Sequence, residues 1–315
     1  MYTANISLFS QFFNKTIIVG LSGGPDSVFL LRQLAALKDD HQIIIIAAHL
    51  NHKWRPTADR DQIFCAQLCH ELNIPFETIC LFDLEKEKNN GSLEAQARAY
   101  RRTFFESCAE KYNADYIVLG HHQDDQLETF FIRLIRGTTH AGISGIQSID
   151  GKYAHPLLSL SKQEILNWLD THHVAYMHDE TNDSTDFLRN KIRKQLIPEI
   201  VSIDPRAHTN ILSFMDHMSK VHTFISEQTV QMQQNMSTQH GIAITDFLST
   251  DEIIQEQILT NLVIHHKIPI TLKKSWFAEC IKFLKQRNTN MHAIGPHWNL
   301  VTQKNCFRFE KALSK

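Results

Sequence analysis

A short glycine-rich segment of this chain combines residue types that suit the binding of phosphate groups. Apolar residues between Ile17 and Leu21 predict a buried strand before it, and those from Val28 to Leu34 recur at helical spacing after it. Glycine lets the backbone approach a ligand closely, and a helix start offers unpaired N–H groups at the positive end of its dipole. We therefore predict a phosphate or pyrophosphate site made of Ser22, Gly23, Gly24, Pro25, Asp26 and Ser27.

This segment differs from two common phosphate-binding loops. No lysine follows Gly24, as a Walker A loop would require, and the glycine spacing is not that of a dinucleotide-binding loop. A plain glycine-rich turn that opens a helix is the simpler alternative. The order of strand, loop and helix, together with the Asp-Ser pair, favours the phosphate site.

Two further polar clusters follow predicted strands. Residues 43–48 predict a second buried strand that ends in the cluster 49–55, and residues 75–81 predict a third strand. Residues 116–119 predict a fourth strand that ends in the cluster 120–129. Strands alternate with helices, which is typical of an α/β fold with a doubly wound parallel sheet. Because ligands bind at the carboxyl edge of such a sheet, we expect all three clusters to meet there.

The cluster after the fourth strand carries carboxylates on one helix face. Asp124 or Asp125 and Glu128 lie three or four residues apart, so the pair could hold Mg²⁺ or a substrate ammonium group. Helix capping by solvated carboxylates is the simpler alternative. A metallohydrolase is a third possibility, but it leaves the glycine-rich loop unexplained; its ligands would be His49, His52, His121 and Asp124.

Two groups of basic residues could bind anions or RNA phosphates. A solvated helix face explains the first group equally well, and complementation of a helix dipole explains the second. The first comprises Arg98, Arg101 and Arg102, and the second comprises Arg189, Arg193 and Lys194.

The 315 residues suffice for two domains, and the composition shifts near residue 205. We predict an α/β domain over 1–204 and a mainly helical domain over 205–315 that ends in short strands. Residues 1–14 predict an amphipathic helix, and residues 137–151 predict a flexible loop. An apolar stripe on the long helix after residue 205 predicts core packing: Ile211, Phe214, Met215, Met218, Val221, Phe224 and Ile225.

Bulk properties narrow the class of protein further. The chain has no apolar run that could span a bilayer and no pattern of a signal peptide, so we expect a cytoplasmic protein without a membrane partner. Its six cysteines form no CxxC pair, which argues against a zinc or iron–sulfur site. The net charge of −2 means that any nucleic-acid binding must come from local patches.

The ordered motifs of the chain resemble those of the tRNA(Ile)-lysidine synthases, within the PP-loop or N-type ATP pyrophosphatases. The resemblance is specific over residues 16–200 and weaker over 205–315, which resembles the helical tRNA-binding domain of that family in its short form. The motifs are SGGPDS, HLNHKWR, ARAYR, LGHHQDDQLET, RLIRG, GISGI, HPLL, DETN and RNKIR.

The resemblance implies a ligase. ATP would activate C2 of the wobble cytidine, position 34, in the CAU anticodon of tRNA(Ile), through an adenylated cytidine intermediate. The ε-amino group of L-lysine would then displace AMP, and the codon that is read would change from AUG to AUA. ATP and Mg²⁺ are the implied cofactors, L-lysine and tRNA(Ile) are the implied partners, and a homodimer is left open.

The resemblance also implies roles for individual residues. The loop 22–27 and His49 would hold the nucleotide, and Asp26 would help to place the metal. His121 would face the α-phosphate. Asp125 and Glu128 would bind the ammonium groups of lysine, while Arg101 and Arg193 would contact phosphates or the adenylated intermediate. The chain departs from the usual family pattern at Lys53, Trp54, Arg102, His155 and Lys162.

Two other functions remain open at this point. A cytidine-thiolating PP-loop enzyme would share the loop but would need cysteine pairs, and Cys65 and Cys69 are four residues apart on a predicted helix. A non-catalytic RNA- or nucleotide-binding relative would share the fold. The presence of Asp26, His121, Asp125 and Glu128 argues against this second possibility.

Overall fold

The computed structural model describes residues 6–51, 53, 57–80, 93–178, 188–286 and 290–312. The chain divides into two compact units, Met1–Asp216 and His217–Lys315. The domain boundary predicted at 204/205 precedes this division. Within the described ranges, no helix is both long and apolar enough to cross a membrane.

The first unit is built on a sheet of six strands. Their bounds are β1 (Thr16–Gly20), β2 (Ile44–Asn51), β3 (Phe76–Cys80), β4 (Tyr116–Val118), β5 (Ile149–Asp150) and β6 (Tyr153–Ala154). The order is β3-β2-β1-β4-β6-β5, and every neighbouring pair is parallel except β5 with β6. The connection reverses direction between β1 and β4, which is where open α/β sheets bind ligands. The predicted α/β fold is confirmed.

The described part of the first unit contains eight α-helices before residue 207. They are α1 (Pro25–Leu37), α2 (Ala58–Glu71), α3 (Leu93–Lys111), α4 (Gln123–Arg136), α5 (His140–Ile143), α6 (Lys162–Thr171), α7 (Leu188–Lys191) and α8 (Ile197–Ile203). A π-helical turn, Ile192–Leu196, joins α7 to α8.

Apolar packing on both faces of the sheet explains the continuous apolar run of β1. Ile17 and Val19 belong to a core that includes Leu30 and Leu31 of α1, whereas Ile18 lies in a second core with Phe105 of α3. A strand that is covered on both faces needs apolar residues at successive positions. This explains why alternation is absent from the sequence of β1.

The start of the chain differs from the prediction. Its described residues form two 3₁₀ turns, Ile6–Leu8 and Ser10–Phe12, where we expected an amphipathic α-helix. Phe9 and Phe12 are both buried in the main core. Asn14 has a φ of 56°, a left-handed conformation that redirects the chain into β1. Apolar spacing alone did not distinguish short turns from one longer helix.

The segment 137–151 also differs from the flexible loop that we expected, because it contains α5 and β5. The side-chain amide of Gln126 on α4 makes two hydrogen bonds of 2.7 Å with the backbone of Ile146. Arg133 Nη1 donates to the carbonyl oxygens of Gly142 (2.5 Å) and Gly145 (2.9 Å). Side chains of α4 therefore hold this segment in place.

The second unit combines helices with an antiparallel sheet. Helix α9 (Ala207–Met236) begins in the first unit and ends in the second. The remaining elements are β7 (Ser237–Thr238), β8 (Gly241–Ala243), α10 (Ile244–Ser249), α11 (Glu252–His265), α12 (Lys274–Gln286), β9 (Met291–Gly295), β10 (Trp298–Gln303) and β11 (Cys306–Lys311). The five strands lie in the order β7-β8-β11-β10-β9.

The core of the second unit centres on Phe247, Leu300 and Phe307, which are fully buried. The predicted apolar stripe of α9 is only partly core. Met215 is 3% exposed, whereas Phe224 is 62% exposed. An α-helix turns about 100° per residue, so a residue nine positions further on lies on the opposite side of the helix. The predicted stripe extends too far around the helix for all of its residues to be buried.

Candidate functional site

The glycine-rich loop lies between β1 and α1, as predicted. Gly23 has a φ of 88°, a conformation that favours glycine. Ser27 Oγ accepts a hydrogen bond from Ser22 N (3.1 Å) and donates to Gly24 O (2.9 Å). Helix α1 begins at Pro25, and the first N–H groups of a helix have no intrahelical acceptor. The loop is therefore braced by its own hydroxyl group and presents backbone donors to an anion.

Close backbone packing places the cluster after β4 beside this loop. A Cβ atom on Gly120 would lie 3.1 Å from both the carbonyl carbon and the carbonyl oxygen of Asp26, and 3.3 Å from Ser27 N. A side chain at this position would press on the backbone of the loop. Glycine at 120 therefore allows the segment that leads into α4 to approach the first turn of α1.

Four charged side chains surround the buried imidazole of His122. Its Nε2 atom lies 3.7 Å from Asp26 Oδ1 and 3.5 Å from Asp125 Oδ2, and its Nδ1 atom lies 3.4 Å from Asp124 Oδ2. Burial opposes protonation of His122, but the three carboxylates outweigh it and raise its pKa. Lys162 is the fourth charged neighbour and acts in the opposite direction.

Lys162, the first residue of α6, links two of these carboxylates. Its ammonium group donates to Asp26 Oδ1 (2.6 Å), and its backbone N–H donates to Asp124 Oδ2 (2.8 Å). Burial opposes ionisation of Asp124, but its contacts with His122 and Lys162 outweigh burial and lower its pKa to about 2. A capping box fixes the start of α6, because Ser161 N donates to Glu164 Oε2 (2.7 Å) and Glu164 N donates to Ser161 Oγ (3.2 Å).

Asp125 and Glu128 share one face of α4, as predicted, and both are buried. Arg189 bridges them, with 2.6 Å from Nη2 to Asp125 Oδ1 and 2.5 Å from Nε to Glu128 Oε2. Arg193 Nε donates to the other oxygen of Glu128. The carboxylate of Glu128 is thus enclosed by two guanidinium groups. The predicted contact of these carboxylates with lysine stays a prediction.

His121 precedes this cluster and is largely buried. Burial, which outweighs the attraction of Asp125, lowers its pKa to about 4, and His155 and Arg98 act in the same direction. Its ring lies 4.8 Å from that of His155, centroid to centroid. Its Nδ1 atom has no hydrogen-bond partner among the described residues. A neutral imidazole with an unpaired buried nitrogen suits a polar ligand, and its contact with the α-phosphate stays a prediction.

The remaining predicted site residues lie in different surroundings. His49 is buried at the end of β2, and its Nδ1–H donates to Leu21 O (2.8 Å), so it braces the backbone just before the loop. Burial lowers its pKa. Arg101 is exposed on α3. His52, Trp54, Arg55 and the motif at 179–182 lie outside the described residues.

The described residues contain no group of three His, Cys, Asp or Glu side chains that could hold a metal ion. The metallohydrolase alternative is therefore unsupported among these residues. Magnesium in nucleotide sites needs fewer protein ligands, because one or two carboxylates and the substrate phosphates usually hold it. Asp26, whose side chain is 28% exposed beside the loop, fits that role.

Sequence reasoning missed two residues of this site and undervalued a third. We did not select His122, although it is adjacent to His121, or Lys162, which was noted only as a departure from a family pattern. Arg189 was noted as part of a basic patch and not as a partner of the carboxylates. Buried carboxylates need nearby cations, and from this requirement the cationic partners of the carboxylates could have been sought in the sequence.

Comparison with known proteins gives three results. Residues 2–200 match the PP-loop domain family. A tRNA(Ile)-lysidine synthase of Bacillus cereus is 31% identical over 287 residues, covering 87% of this chain and 60% of the relative. One of Francisella tularensis is 31% identical over 253 residues, covering 79% and 62%. The chain thus spans about 60% of the length of these curated relatives.

Among solved structures, the fold is similar to that of the U34-tRNA thiolase NcsA of Methanococcus maripaludis. The TM-score is 0.57 at 17% sequence identity, and the match covers 67% of this chain and 76% of the thiolase. Identity at this level supports a shared fold alone.

Proposed function

The chain belongs to the PP-loop domain family, and on that premise we propose that it ligates L-lysine to C2 of cytidine 34 in the CAU anticodon of tRNA(Ile). One observation carries the proposal. The loop Ser22–Ser27 and the carboxylates of α4 meet at one edge of the sheet, so a nucleotide and an amine could bind side by side. The similarity to lysidine synthases supports the same reaction.

The reaction begins with activation of the cytidine by ATP. The O2 atom of cytidine is a poor leaving group, and adenylation turns it into a good one. The loop amides would hold the pyrophosphate as it departs, and Asp26 would bind Mg²⁺, which supplies further neutralisation of charge. His121 remains neutral at physiological pH and would contact the α-phosphate through its unpaired nitrogen.

The second step needs a bound amine. In this proposal Asp125 and Glu128 attract the ammonium groups of lysine, and Arg189 yields part of its present contacts when lysine enters. Arg193 and Arg101 contact phosphates or the adenylated intermediate. The ε-amino group then attacks C2, and AMP leaves with the former O2 atom. A carboxylate could take the proton that the amine loses.

The second unit is proposed to hold the tRNA. Residues 217–315 contain eleven lysines and arginines against seven aspartates and glutamates, in a chain whose net charge is −2. Four lysines of this unit are exposed on or beside α12, and they suit contacts with phosphates: Lys273, Lys274, Lys282 and Lys285. A tRNA substrate implies a cytoplasmic reaction. The homodimer that the resemblance leaves open stays a prediction.

Thiolation is less well supported than lysidine formation. Cys65, Cys69 and Cys108 are buried, and none of the six cysteines forms a disulfide. Burial raises the pKa of Cys69 to about 12 and that of Cys65 further still. A buried neutral thiol is a poor nucleophile and a poor metal ligand.

One assay tests the proposed reaction. The protein is mixed with ATP, Mg²⁺, labelled lysine and an unmodified tRNA(Ile) transcript with a CAU anticodon, and label in the RNA is counted. We expect incorporation that is lost when the wobble cytidine is changed to uridine. Binding of the tRNA without incorporation would favour a non-catalytic relative.

Matched variants connect this assay to the loop. Asp26→Asn should reduce incorporation by at least about a hundredfold, because it removes the proposed metal ligand. Asp39→Asn is the control, since Asp39 is exposed beyond the end of α1. Circular dichroism would verify that both variants fold. Equal activity of the two variants would contradict the role of Asp26.

A further inference from the structure

We propose that Lys162 supplies the phosphate-binding ammonium group that the loop Ser22–Ser27 lacks. In this inference, which rests on the proposed function, Lys162 binds the β- or γ-phosphate of ATP and then the departing pyrophosphate. Lysine-containing phosphate loops carry this residue within the loop itself. Here the sequence offers no lysine after Gly24, and the fold brings one from α6, 136 residues after Asp26.

The position of Lys162 supports this role. Its Nζ atom lies 2.6 Å from Asp26 Oδ1, and Asp26 is in the first turn of α1. The ammonium group therefore lies beside the first turn of α1, whose backbone N–H groups would face a bound anion. The side chains of Lys162 and Asp26 are 34% and 28% exposed, so a ligand from solvent can reach both of them.

The electrostatics of α6 indicate that Lys162 has a purpose other than helix stability. A cation at the N-terminus of a helix lies at the positive end of the dipole and is unfavourable there. The backbone of α6 at this point already has its capping box, which needs no lysine. The negative charges of Asp26 and Asp124 offset the cost of placing this cation at the N-terminus of α6. The phosphates of a nucleotide would add further negative charge.

Lys162 and a metal ion would share Asp26 as a partner. In the structure, Asp26 Oδ1 accepts the hydrogen bond from Lys162. When ATP binds, transfer of the ammonium group from this carboxylate to a phosphate oxygen would leave Asp26 available to Mg²⁺. The lysine thus holds the carboxylate in place before the nucleotide arrives, and no covalent bond changes in this exchange.

Nucleotide binding tests the proposal without tRNA or lysine. Affinities of ATP and AMP, both with Mg²⁺, are measured by calorimetry for the wild type, Lys162→Met, Lys162→Arg and the control Lys15→Met. Lys15 forms an exposed pair with Asp115. We expect Lys162→Met to weaken ATP binding about tenfold or more and AMP binding less than about twofold. Lys162→Arg should keep most of the affinity for ATP.

Equal losses for ATP and AMP, or an unchanged affinity for ATP, would overturn the assignment. Its failure is distinct from that of the proposed function, because a wild-type protein that binds ATP but incorporates no lysine would overturn only the proposed reaction.

A second measurement uses the native chain, in case Lys162→Met does not fold. Reductive methylation of lysines is followed by mass spectrometry with no ligand, with AMP, with ATP and with inorganic pyrophosphate. ATP and pyrophosphate should each slow methylation of Lys162 at least about threefold relative to Lys15, and AMP should not. An unprotected Lys162 at saturating ATP would contradict the proposal.

Discussion

At the scale of single residues, Glu128 connects α4 to the segment that follows α7. It is fully buried, and Arg189 and Arg193 bind its two oxygens. The π-helical turn Ile192–Leu196 contains Arg193 and follows directly on α7, which carries Arg189. Such turns are rare and frequent at functional sites, and this one lies where both guanidinium groups must reach a single carboxylate.

We predict that Glu128→Gln destabilises the fold by about 3 kcal/mol, since it removes the charge of a fully buried carboxylate that two half-buried guanidinium groups contact, while Arg189 keeps Asp125 as a partner. Urea unfolding followed by circular dichroism measures the change. Glu71→Gln is the matched control, because Glu71 pairs with Arg32 on the surface and its side chain is 62% exposed. That variant should cost at most about 1 kcal/mol. A similar loss of unfolding free energy in both variants would show that the ion pairs of Glu128 add no more stability than a surface pair.

The imidazole of His121 gives a prediction about pH. Its pKa in the folded chain is about 4, below the ordinary 6.5, mainly because of burial. Asp125, His155, Arg189 and Arg98 are the charged or titratable groups that act on it. The unfolded state therefore takes up the proton first, so stability from this residue is present above pH 6.5 and is lost as the pH falls toward 4.

An NMR titration of the ring protons of His121 in the native protein should give a midpoint near pH 4. A midpoint for His121 near 6.5 would show that the ring is not desolvated.

The sequence anticipated those site residues that are close together along the chain. Asp125 and Glu128 could be paired from their spacing, since helix geometry fixes which residues share a face. Lys162 could not be paired with Asp26 in this way, because 136 positions separate them and only the assembled sheet brings them together. Arg189 likewise reaches Glu128 across 61 positions.

At the scale of secondary-structure elements, the strand order brings the site together. β1 and β4 are neighbours, and each ends in a segment that contains site residues. Gly20, Gly23 and Gly120 occur where these segments pass close to other atoms or take a positive φ. The glycines of the motifs therefore have a packing reason as well as a ligand-binding one.

We predict that Gly120→Ala weakens ATP binding at least about tenfold and destabilises the fold by about 1–3 kcal/mol. The added methyl group would meet the backbone of Asp26 at 3.1 Å and shift the loop. Gly151→Ala is the control, because a Cβ atom there meets nothing within 4 Å although its φ is 58°. It should lose some stability but no affinity. Equal affinity of both variants would show that the loop tolerates the displacement.

The contact of Gln126 with Ile146 gives a prediction about dynamics. Gln126→Ala removes two hydrogen bonds of 2.7 Å that hold the segment 142–148 to α4. We expect amide hydrogen exchange in that segment to become about tenfold faster, as local opening becomes easier. Gln163→Ala is the control, because Gln163 is exposed and its amide donates to the exposed Asn167 on its own helix. Unchanged exchange would mean that other contacts hold the segment.

Strands were easier to predict than turns, for a physical reason. The run Ile43–Ala48 is apolar and β-branched enough to specify a buried strand, and β2 covers most of it. The 3₁₀ turns around Phe9 depend on two phenylalanines reaching one core, which is a tertiary effect. β7 and β8 are only two and three residues long, and no periodicity can be read over so few positions.

At the scale of the whole molecule, charge is distributed unevenly along the sequence. Residues 217–315 have an excess of basic residues, whereas the chain as a whole is slightly acidic. Residues 1–216 are therefore acidic on balance, although Arg98, Arg101 and Arg193 lie among them. This pattern suits a polyanion on the second unit and a small cationic substrate, such as lysine, in the first.

We predict that Lys282→Ala combined with Lys285→Ala weakens tRNA binding and reduces the slope of log affinity against log salt by about 2. Both lysines are exposed on α12, in the walls of one cavity. Filter binding at several salt concentrations measures the slope. ATP affinity should stay within about twofold, and Lys15→Ala should change neither quantity. An unchanged slope would place the phosphate contacts elsewhere.

The order of strands also has a consequence for biosynthesis. The groups that meet at the site run from Ser22 to Arg193, and β1 lacks its neighbour β4 until residues 116–118 have been made. Ribosomes add about 5–20 residues per second, so roughly 10–30 s separate the synthesis of the first group from that of the last. During that interval the loop after β1 has neither Lys162 nor the arginines beside it. A nascent chain therefore cannot assemble this site until translation has passed Arg193.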